Sequence, residues 1–368
     1  MGCGAGFNEA DVRAEEIDMK VSAKLFFSAL KWIKPVLVLF IILLTCPFVQ
    51  GCDKTANTEK GAKVPMETYY IGRFSLAVPA DMKLEVRTSE LSYAEIKEVI
   101  WPKNVGHEQA RTTEWNKFIK VINTLNPPEG KDTPIIRMRD FTGVGQWAKG
   151  VYYYYDDFSD YDGRWVLLVD TGSVGVWFKG NSVVKKENVN HYLENNIKSS
   201  GKSYTNIEDP KLKSLPKGHW FYLKHGAINL PYEEQEESYA SFEGHPLGLV
   251  LEIKMEMDIG HWRETKGLIE RTKGMLAAAA LETGGSMSKI RLSKREVAGM
   301  NGEESILRIS EDGEKTLMFT WEFNGKEDSG EYPTTTIEME APDGKLDEKI
   351  AIWDAVLDSM KPMFERKK

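Results

Sequence analysis

The segment 303-EESILRISEDGEKTLMFTWEF-323 decides the fold class, because it contains two predicted strands and the turn between them. Apolar and polar residues alternate in 303–310 and again in 315–323, which is the period of a half-buried strand. The dipeptide Asp312-Gly313 between them is one that closes β-hairpins. The segment therefore predicts antiparallel sheet at the centre of the C-terminal half.

The neighbouring segments extend this sheet and add two helices. The helix after residue 257 places Leu268, Ile269, Thr272, Leu276 and Ala279 on one face, which is the helical period. The predicted order in this half is strands 226–231 and 247–257, that helix, strands 289–297, 303–310, 315–323 and 333–340, and a closing helix at 346–361.

The N-terminal half repeats the same order over nearly the same length. Its predicted elements are strands 72–79 and 91–101, a helix with Trp115 and Phe118 on its apolar face, strands 135–141, 150–158, 164–171 and 174–180, and a closing helix at 187–199. We therefore predict an α+β protein with two similarly organised domains, each mainly antiparallel sheet packed with two helices. Either a duplication or two unrelated α+β domains would give this pattern.

Domain bounds follow from these elements. Residues 67–204 form the predicted N-terminal domain, 205–221 the linker, which contains Pro210 and Pro216, and 222–368 the C-terminal domain. The chain that follows Gly51 exceeds the about 250–300 residues that one hydrophobic core usually serves, which also favours two domains.

The apolar run 36–48 predicts an export signal. A membrane-spanning helix needs about 20 apolar residues, whereas the core of a signal peptide has about 7 to 15. Lysines precede the run, at Lys20, Lys24, Lys31 and Lys34. Since the acidic residues 1–18 do not fit an export signal, we expect translation to start at Met19, with Met1 as the alternative.

The end of the run resembles the bacterial lipobox, in which a cysteine after a small residue is acylated. Val49, Gly51 and Cys52 match the pattern. This predicts that residues 1–51 are a signal peptide, that Cys52 carries the lipid, and that 52–66 are the acylated cysteine and a flexible tether. An uncleaved signal anchor is the alternative.

Composition agrees with export and excludes one class of partner. All three cysteines, Cys3, Cys46 and Cys52, lie near the N-terminus, so the mature chain is expected to form no internal disulfide. The formal net charge is −8, which argues against nucleic acid as a partner because phosphates require a basic surface. The same charge leaves membrane contact to the lipid anchor alone.

A search for reactive motifs predicts no catalytic residue, cofactor or metal. His107-Glu108 begins like a zinc-protease helix, but Arg111 stands where the second histidine is needed. The segment 171–175 lacks the first glycine of a serine nucleophile elbow.

Clustered carboxylates and a tyrosine run remain as candidates for partner binding. Clustered charge on loops steers a complementary partner, and aromatic residues are favoured interface anchors. The predicted contact residues are Tyr152, Tyr154, Asp156, Asp157, Asp160, Glu233, Glu234, Glu236, Glu237, Glu327 and Asp328. Solvated loops without a partner, or the acidic pair of a hydrolase, are the alternatives.

Residues 299–362 resemble the C-terminal domain of immunity proteins that protect bacteria from type VI secretion phospholipase effectors. The residues that carry the resemblance are Gly302-Glu303-Glu304, the strand 319–323, Ser329-Gly330 with Pro333, and the helix from Trp353-Asp354 to Pro362. The opening 71-IGRFSLAVPADMKL-84 is similar to the family's N-terminal domain.

This resemblance implies a two-domain, non-enzymatic periplasmic lipoprotein that binds a cognate phospholipase and blocks its active site or lid. It supplies no catalytic residue, and no contact residue is transferred from it. The alternative function is an envelope lipoprotein that serves as a binding or scaffold module for another periplasmic component.

Overall fold

The computed structural model describes residues 64–184, 186–207, 215, 218–232, 235–257, 266–280, 285–311 and 313–365. The predicted signal peptide, the predicted lipidation site Cys52 and most of the tether lie outside these residues, as do Glu233, Glu234 and Asp312. Residues 62–368 form one compact unit.

The N-terminal half contains eight strands and two helices. They are β1 (Met66–Ile71), β2 (Phe74–Pro79), β3 (Lys83–Leu91), β4 (Ala94–Ile100), α1 (His107–Ile122), β5 (Ile135–Asp140), β6 (Trp147–Tyr154), β7 (Asp162–Asp170), β8 (Val174–Val183) and α2 (Glu187–Ser203). Strand β1 begins at Met66, which the sequence assigned to the tether.

In the C-terminal half, the described residues form ten strands and two helices. They are β9 (Tyr204–Asn206), β10 (Trp220–Tyr222), β11 (Gly226–Asn229), β12 (Glu236–Glu243), β13 (Val250–Glu256), α3 (Leu268–Ala279), β14 (Gly285–Val297), β15 (Met300–Glu311), β16 (Glu314–Asn324), β17 (Thr334–Pro342), α4 (Leu346–Ser359) and β18 (Lys361–Pro362).

Twelve of these strands form one antiparallel sheet that runs through both halves. Its order is β14-β15-β16-β17-β13-β12-β3-β4-β8-β7-β6-β5. Read outward from the central pair β12 and β3, the two sides have the same order, with β13 matching β4, β17 matching β8, and β16 matching β7. The predicted α+β class and the similar organisation of the halves are therefore confirmed, and the division at 205–221 stays a prediction.

The central strands β3 and β12 are missing from the prediction, and their sequences show why. Ser89 lies opposite Ser238, and Arg87 lies opposite Ala240, on the face that packs inward. Polar and small residues at these inward positions remove the apolar period that identifies a strand. The predicted strand 91–101 is in fact the end of β3 and all of β4, separated by the two-residue turn Ser92-Tyr93.

The two halves exchange their opening strands. Phe74, Leu76 and Val78 of β2 belong to the core that contains Trp321 and Trp353 of the C-terminal half. Strand β2 pairs with β1 and with β18, which follows α4. The first two strands of the chain therefore form one sheet with its last strand, β18.

The reciprocal contact is made by the small sheet β10-β11-β9. Phe221, Leu223 and Ile228 pack into the core that contains Val176 and Phe178 of the N-terminal half. Strand β11 corresponds to the predicted opening strand of the C-terminal half, but its side chains pack in the core of the N-terminal half. Each half therefore depends on the other for its hydrophobic core.

Helices α2 and α4 pack on one face of the sheet. On the opposite face, helices cover the sheet only toward its two ends. Helix α1 packs Trp115 and Ile122 against Val166, Leu168 and Trp177 of β7 and β8. At the other end, α3 lies against β14 and β15, where Thr272 Oγ1 contacts Ser305 Oγ at 3.5 Å. No described element covers the strands between these helices on this face.

Glu304, Trp353 and Asp354, which are among the residues that carry the family resemblance, form a structural cluster with two arginines. Glu304 is 1% exposed and accepts a hydrogen bond of 2.7 Å from Trp353 Nε1 of α4. Arg291 and Arg295 bridge Glu304 to Asp354, with distances of 2.7 and 2.6 Å to the Asp354 carboxylate. These residues attach α4 to the sheet, so their role is in the fold.

Candidate partner-binding surface

The structure does not support Tyr152 and Tyr154 as contact residues. Tyr152 is 1% exposed and stacks on Trp165 at 4.9 Å between ring centroids, and Tyr154 is also buried. Both faces of this strand are covered, one by the α2 side of the core and the other by α1, so the alternation of a half-buried strand does not apply. Tyr155, just beyond the strand, is 45% exposed.

Glu236 is likewise a structural residue. It is buried in β12, where its Oε2 accepts a hydrogen bond of 2.7 Å from Arg73 Nε and its Oε1 pairs with Arg73. Arg73 lies between β1 and β2 and also donates to the carbonyl oxygen of His219 at 2.6 Å. Burial raises the pKa of Glu236, and Arg73 opposes this shift. The pair links the exchanged strands of the first half to the second.

The other predicted residues lie near the surface at separate places. Asp156, Asp157 and Asp160 belong to the loop 155–161 between β6 and β7, and Asp157 is exposed. Glu327 and Asp328 are exposed on the β16 to β17 connection. Glu237 is half-buried in β12 rather than on a loop, whereas Glu233 and Glu234 lie outside the described residues. The role of these residues as partner contacts stays a prediction.

The uncovered part of the sheet is a surface that the sequence did not predict. We call it the open face and define it by the outward residues of β4, β3, β12, β13, β17 and β16. They include Glu95, Glu90, Glu237, Tyr239, Glu252, Lys254, Glu256, Glu338, Glu340, Thr320 and Glu322, all of them exposed or half-buried.

Strand register places carboxylates of the open face side by side. Glu95, Glu90, Glu237 and Glu256 are consecutive cross-strand partners on β4, β3, β12 and β13, and we call this row the glutamate rung. Farther along the strands, Glu252 lies opposite Glu338 on β17. Directly opposite side chains have Cβ atoms about 4.5–5.5 Å apart, and like charges at that distance destabilise a sheet.

This crowding perturbs the acid groups. The pKa of Glu90 is raised by desolvation and by repulsion from Glu237 and Glu95. Desolvation and the negative charges of Glu252, Glu322 and Glu340 raise the pKa of Glu338. Within the described residues, no cationic group lies within ion-pair distance of Glu90, Glu338 or Glu340.

One lysine stands among these acids. Lys254 Nζ lies 2.7 Å from Glu256 and 4.0 Å from Glu237. The phenol of Tyr239 beside it has its pKa raised to about 12 by desolvation and by the charge of Glu252. The C-terminal half of the open face is therefore strongly negative, which suits a cationic partner.

A cleft of about 280 Å³ lies at the N-terminal end of the glutamate rung. It is lined by Glu90, Tyr93, Glu95, Arg164, Lys179 and Asn181. Ser92 and Tyr93 both have positive φ, of 53° and 63°. These residues form the two-residue turn between β3 and β4, a type of turn that can require positive φ at both positions. Non-glycine residues in this conformation cost of order 1–3 kcal/mol each.

The described residues offer no geometry for a metal ion and no membrane-spanning helix. In the part of the chain that the structure describes, no three His, Cys, Asp or Glu side chains are grouped so as to hold a metal. None of the helices there is long and apolar enough to cross a bilayer.

Comparison with known proteins finds a family model that matches the C-terminal half. Residues 214–363 match the family model of the Tle cognate immunity protein 4 C-terminal domain. The match confirms the resemblance predicted for residues 299–362. No curated protein matches the sequence.

Solved structures extend the likeness of fold to the N-terminal half. The chain is similar to the apo immunity protein TplEi of the type VI secretion system of Pseudomonas aeruginosa, with a TM-score of 0.66, 19% identity, and coverage of 82% of this chain and 98% of that one. It is also similar to a chain of the Tle4–Tli4 complex, with a TM-score of 0.68, 19% identity, and coverage of 83% and 100%. At this identity the likeness shows the fold.

Proposed function

We propose that this protein is an immunity protein that binds and inhibits a cognate type VI secretion phospholipase effector. The match of residues 214–363 to the family model of the Tle cognate immunity protein 4 C-terminal domain carries the proposal. Neutralising an enzyme by occupying its surface requires no reaction, so the protein needs no catalytic group or cofactor. It acts by stoichiometric binding that blocks the active site or lid of the lipase.

The open face is the proposed docking surface. It is uncovered between α1 and α3, and its C-terminal half places carboxylates in register without enough cations to balance them. A lysine- or arginine-rich surface of the lipase would relieve this repulsion and gain charge-assisted contacts. Such complementarity also raises the association rate and rejects wrong partners.

The proposed location is the periplasm, with attachment through lipid on Cys52. The lipobox-like sequence before Cys52 and the polar residues that follow it support this location. A tethered inhibitor has a high effective concentration at the membrane surface, which is where a phospholipase meets its substrate. Since the chain is acidic, we propose no nucleic acid partner and no membrane contact other than the anchor.

The test is co-purification of the soluble chain from residue 53 onward with the lipase encoded beside its gene, followed by a phospholipase assay. A stable complex and loss of activity at molar equivalence are expected. If no complex forms and lipase activity is unchanged, the alternative of a binding or scaffold module for another envelope component is favoured.

A further inference from the structure

We propose that the loop of residues 155–161 anchors the partner by inserting Phe158 into an apolar pocket with a cationic rim on the cognate lipase. We call residues 155–161 the aromatic loop. This inference rests on the proposed function and adds an anchoring residue to it. Phe158 is not among the predicted contact residues, because the sequence predicts a strand over 150–158.

Phe158 is the most exposed large apolar side chain among the described residues. It is 93% exposed, and the flanking Tyr155 and Tyr161 are 45% and 39% exposed. Burying a phenylalanine stabilises a protein by about 1.5–3 kcal/mol relative to leaving it in water. Since Phe158 gains none of this in the fold, an apolar site on a partner is the place where it can.

The aromatic loop is held in one conformation by its own hydrogen bonds. Asp156 Oδ1 accepts hydrogen bonds of 3.0 Å from the backbone N–H groups of both Phe158 and Ser159. Ser159 Oγ accepts one of 3.0 Å from the N–H of Tyr161. At the base of the loop, the N–H of Val184 donates to the carbonyl oxygen of Tyr161 at 2.6 Å.

The fixed conformation of the aromatic loop favours binding. A side chain presented by a preorganised loop loses less conformational entropy when it is buried by a partner. Asp156 is thus occupied inside the loop, and its predicted role as a contact residue becomes one of positioning Phe158. Aromatic residues so presented are typical anchors of protein interfaces.

The aromatic loop is continuous with the open face. The guanidinium of Arg164 lies 4.1 Å from the centroid of the Tyr155 ring, and its Nε donates to Asn181 Oδ1 at 2.9 Å. Arg164 and Asn181 line the cleft together with Glu90 and Glu95 of the glutamate rung. A partner seated on the open face would therefore reach Phe158 at its edge.

Charge around Phe158 selects a protein pocket over a lipid surface. Asp157 and Asp162 are both exposed beside it. Anionic lipid headgroups would repel these carboxylates, and a single phenylalanine gives little membrane affinity by itself. Lysine or arginine groups at the rim of a protein pocket would instead pair with them.

The experiment compares Phe158→Ala with Val121→Ala in the soluble chain from residue 53 onward. Val121 is the control because it is also an apolar residue, is 56% exposed, and lies on α1 and not on the aromatic loop. Affinity for the lipase encoded beside the gene is measured by calorimetry, and folding is measured by thermal unfolding. We expect Phe158→Ala to weaken binding at least tenfold without changing the unfolding temperature, and Phe158→Trp to bind within threefold of wild type. Val121→Ala should bind like wild type.

Each contrary outcome has a distinct meaning. If Phe158→Ala binds within twofold of wild type, the anchor is overturned while the proposed function stands. If the wild-type chain does not bind the lipase at all, the proposed function falls and the anchor with it. Vesicles of phosphatidylglycerol and phosphatidylcholine are tested in parallel, and Phe158-dependent binding to either would overturn the choice of a protein pocket.

Discussion

In the N-terminal half of the open face, Glu95 lies opposite Lys179 across β4 and β8, whereas in the C-terminal half Glu252 lies opposite Glu338 across β13 and β17. These strand pairs occupy matching places in the two sides of the sheet. Opposite charges across strands stabilise a sheet and like charges destabilise it, by roughly 0.2–1 kcal/mol per pair.

This difference in charge pairing distinguishes charges that the fold requires from charges that partner binding would require. Both halves build the same strand order, so the fold does not require like charges at β13 and β17. Proteins tolerate such unfavourable arrangements mainly where function benefits. The C-terminal half of the open face is therefore the part in which a cationic partner would compensate for the cost in stability.

The largest expected effect is on stability, and it comes from breaking the buried ion pair Arg73–Glu236, which joins the two halves. Arg73→Met leaves the Glu236 carboxylate buried without its cation, and breaking a buried pair in this way costs about 3–5 kcal/mol. Urea unfolding of Arg73→Met measures the loss. The double variant Arg73→Met with Glu236→Leu should recover most of it, because no uncompensated charge remains.

The matched control for this change is Lys149→Met. Lys149 pairs with Asp140 at 3.6 Å within the N-terminal half, and both side chains are at least one-third exposed. Exposed pairs contribute about 0–1 kcal/mol, so little change is expected. A loss below about 1 kcal/mol in Arg73→Met would show that the exchanged opening strands are held by apolar packing alone.

Charge reversal in the C-terminal half should weaken partner binding next most strongly. The double variant Glu252→Lys with Glu338→Lys replaces two carboxylates of the open face by cations, which would repel a cationic lipase surface. We expect affinity to fall at least about tenfold, which is about 1.4 kcal/mol. Calorimetry at low and high salt measures both the loss and its screening.

The Glu95–Lys179 pair in the N-terminal half is the control for this charge reversal. Exchanging the charges of Glu95 and Lys179, by Glu95→Lys with Lys179→Glu, leaves the net charge of this cross-strand pair unchanged. Because both residues also line the cleft, a loss of affinity is expected, but a smaller one than for Glu252→Lys with Glu338→Lys. Equal losses in the two halves would mean that the partner does not distinguish them.

The turn between β3 and β4 should show a smaller effect on stability. Ser92 and Tyr93 both have positive φ, whereas the turn between β14 and β15 has Ala298 followed by Gly299. Asn-Gly is the preferred sequence for such a turn. Ser92→Asn with Tyr93→Gly should therefore raise the free energy of unfolding by about 1 kcal/mol, as measured in urea.

The same double variant tests the cleft, because it removes the Tyr93 ring that lines it. A gain in stability together with weaker lipase binding is expected if strain is retained here for function. A stabilised variant that binds like wild type would make this turn a neutral feature of the N-terminal half.

Sequence reasoning recovered the outer parts of each half better than the centre. The strands of 303–323 and the helix 346–361 have strong periods, and the structure shows them as β15, β16 and α4. The central strands β3 and β12 carry Arg87, Ser89 and Ser238 inward, so no apolar period reveals them. The exchange of β2 and β11 is a property of the tertiary fold, since their local sequences fit either core.

The predicted contact residues stay a prediction, and the structure shows that several of them do not lie where the sequence placed them. Acidic residues as partner contacts agree with the charge of the open face, yet the glutamate rung is set by strand register, which needs the positions of both β3 and β12. Tyr152 and Glu236 were selected because aromatic and acidic clusters usually lie at surfaces, whereas here covered faces and Arg73 keep both buried.

The smallest effect is expected from removing a single charge of the C-terminal half. Glu338→Gln relieves the repulsion from Glu252, Glu322 and Glu340 and should raise the free energy of unfolding at pH 7 by about 0.5 kcal/mol. Glu327→Gln, on an exposed loop outside the open face, is the control and should have no effect.

The pH dependence of stability gives a sharper test, because the pKa of Glu338 in the folded protein lies above its ordinary value of 4.5. Between those two values the folded protein binds more protons than the unfolded chain, so the contribution of Glu338 to stability falls as the pH rises through this window. Urea unfolding from pH 4 to pH 7 should therefore show a smaller loss of stability with rising pH in Glu338→Gln than in wild type, and identical slopes would contradict a perturbed carboxylate on the open face.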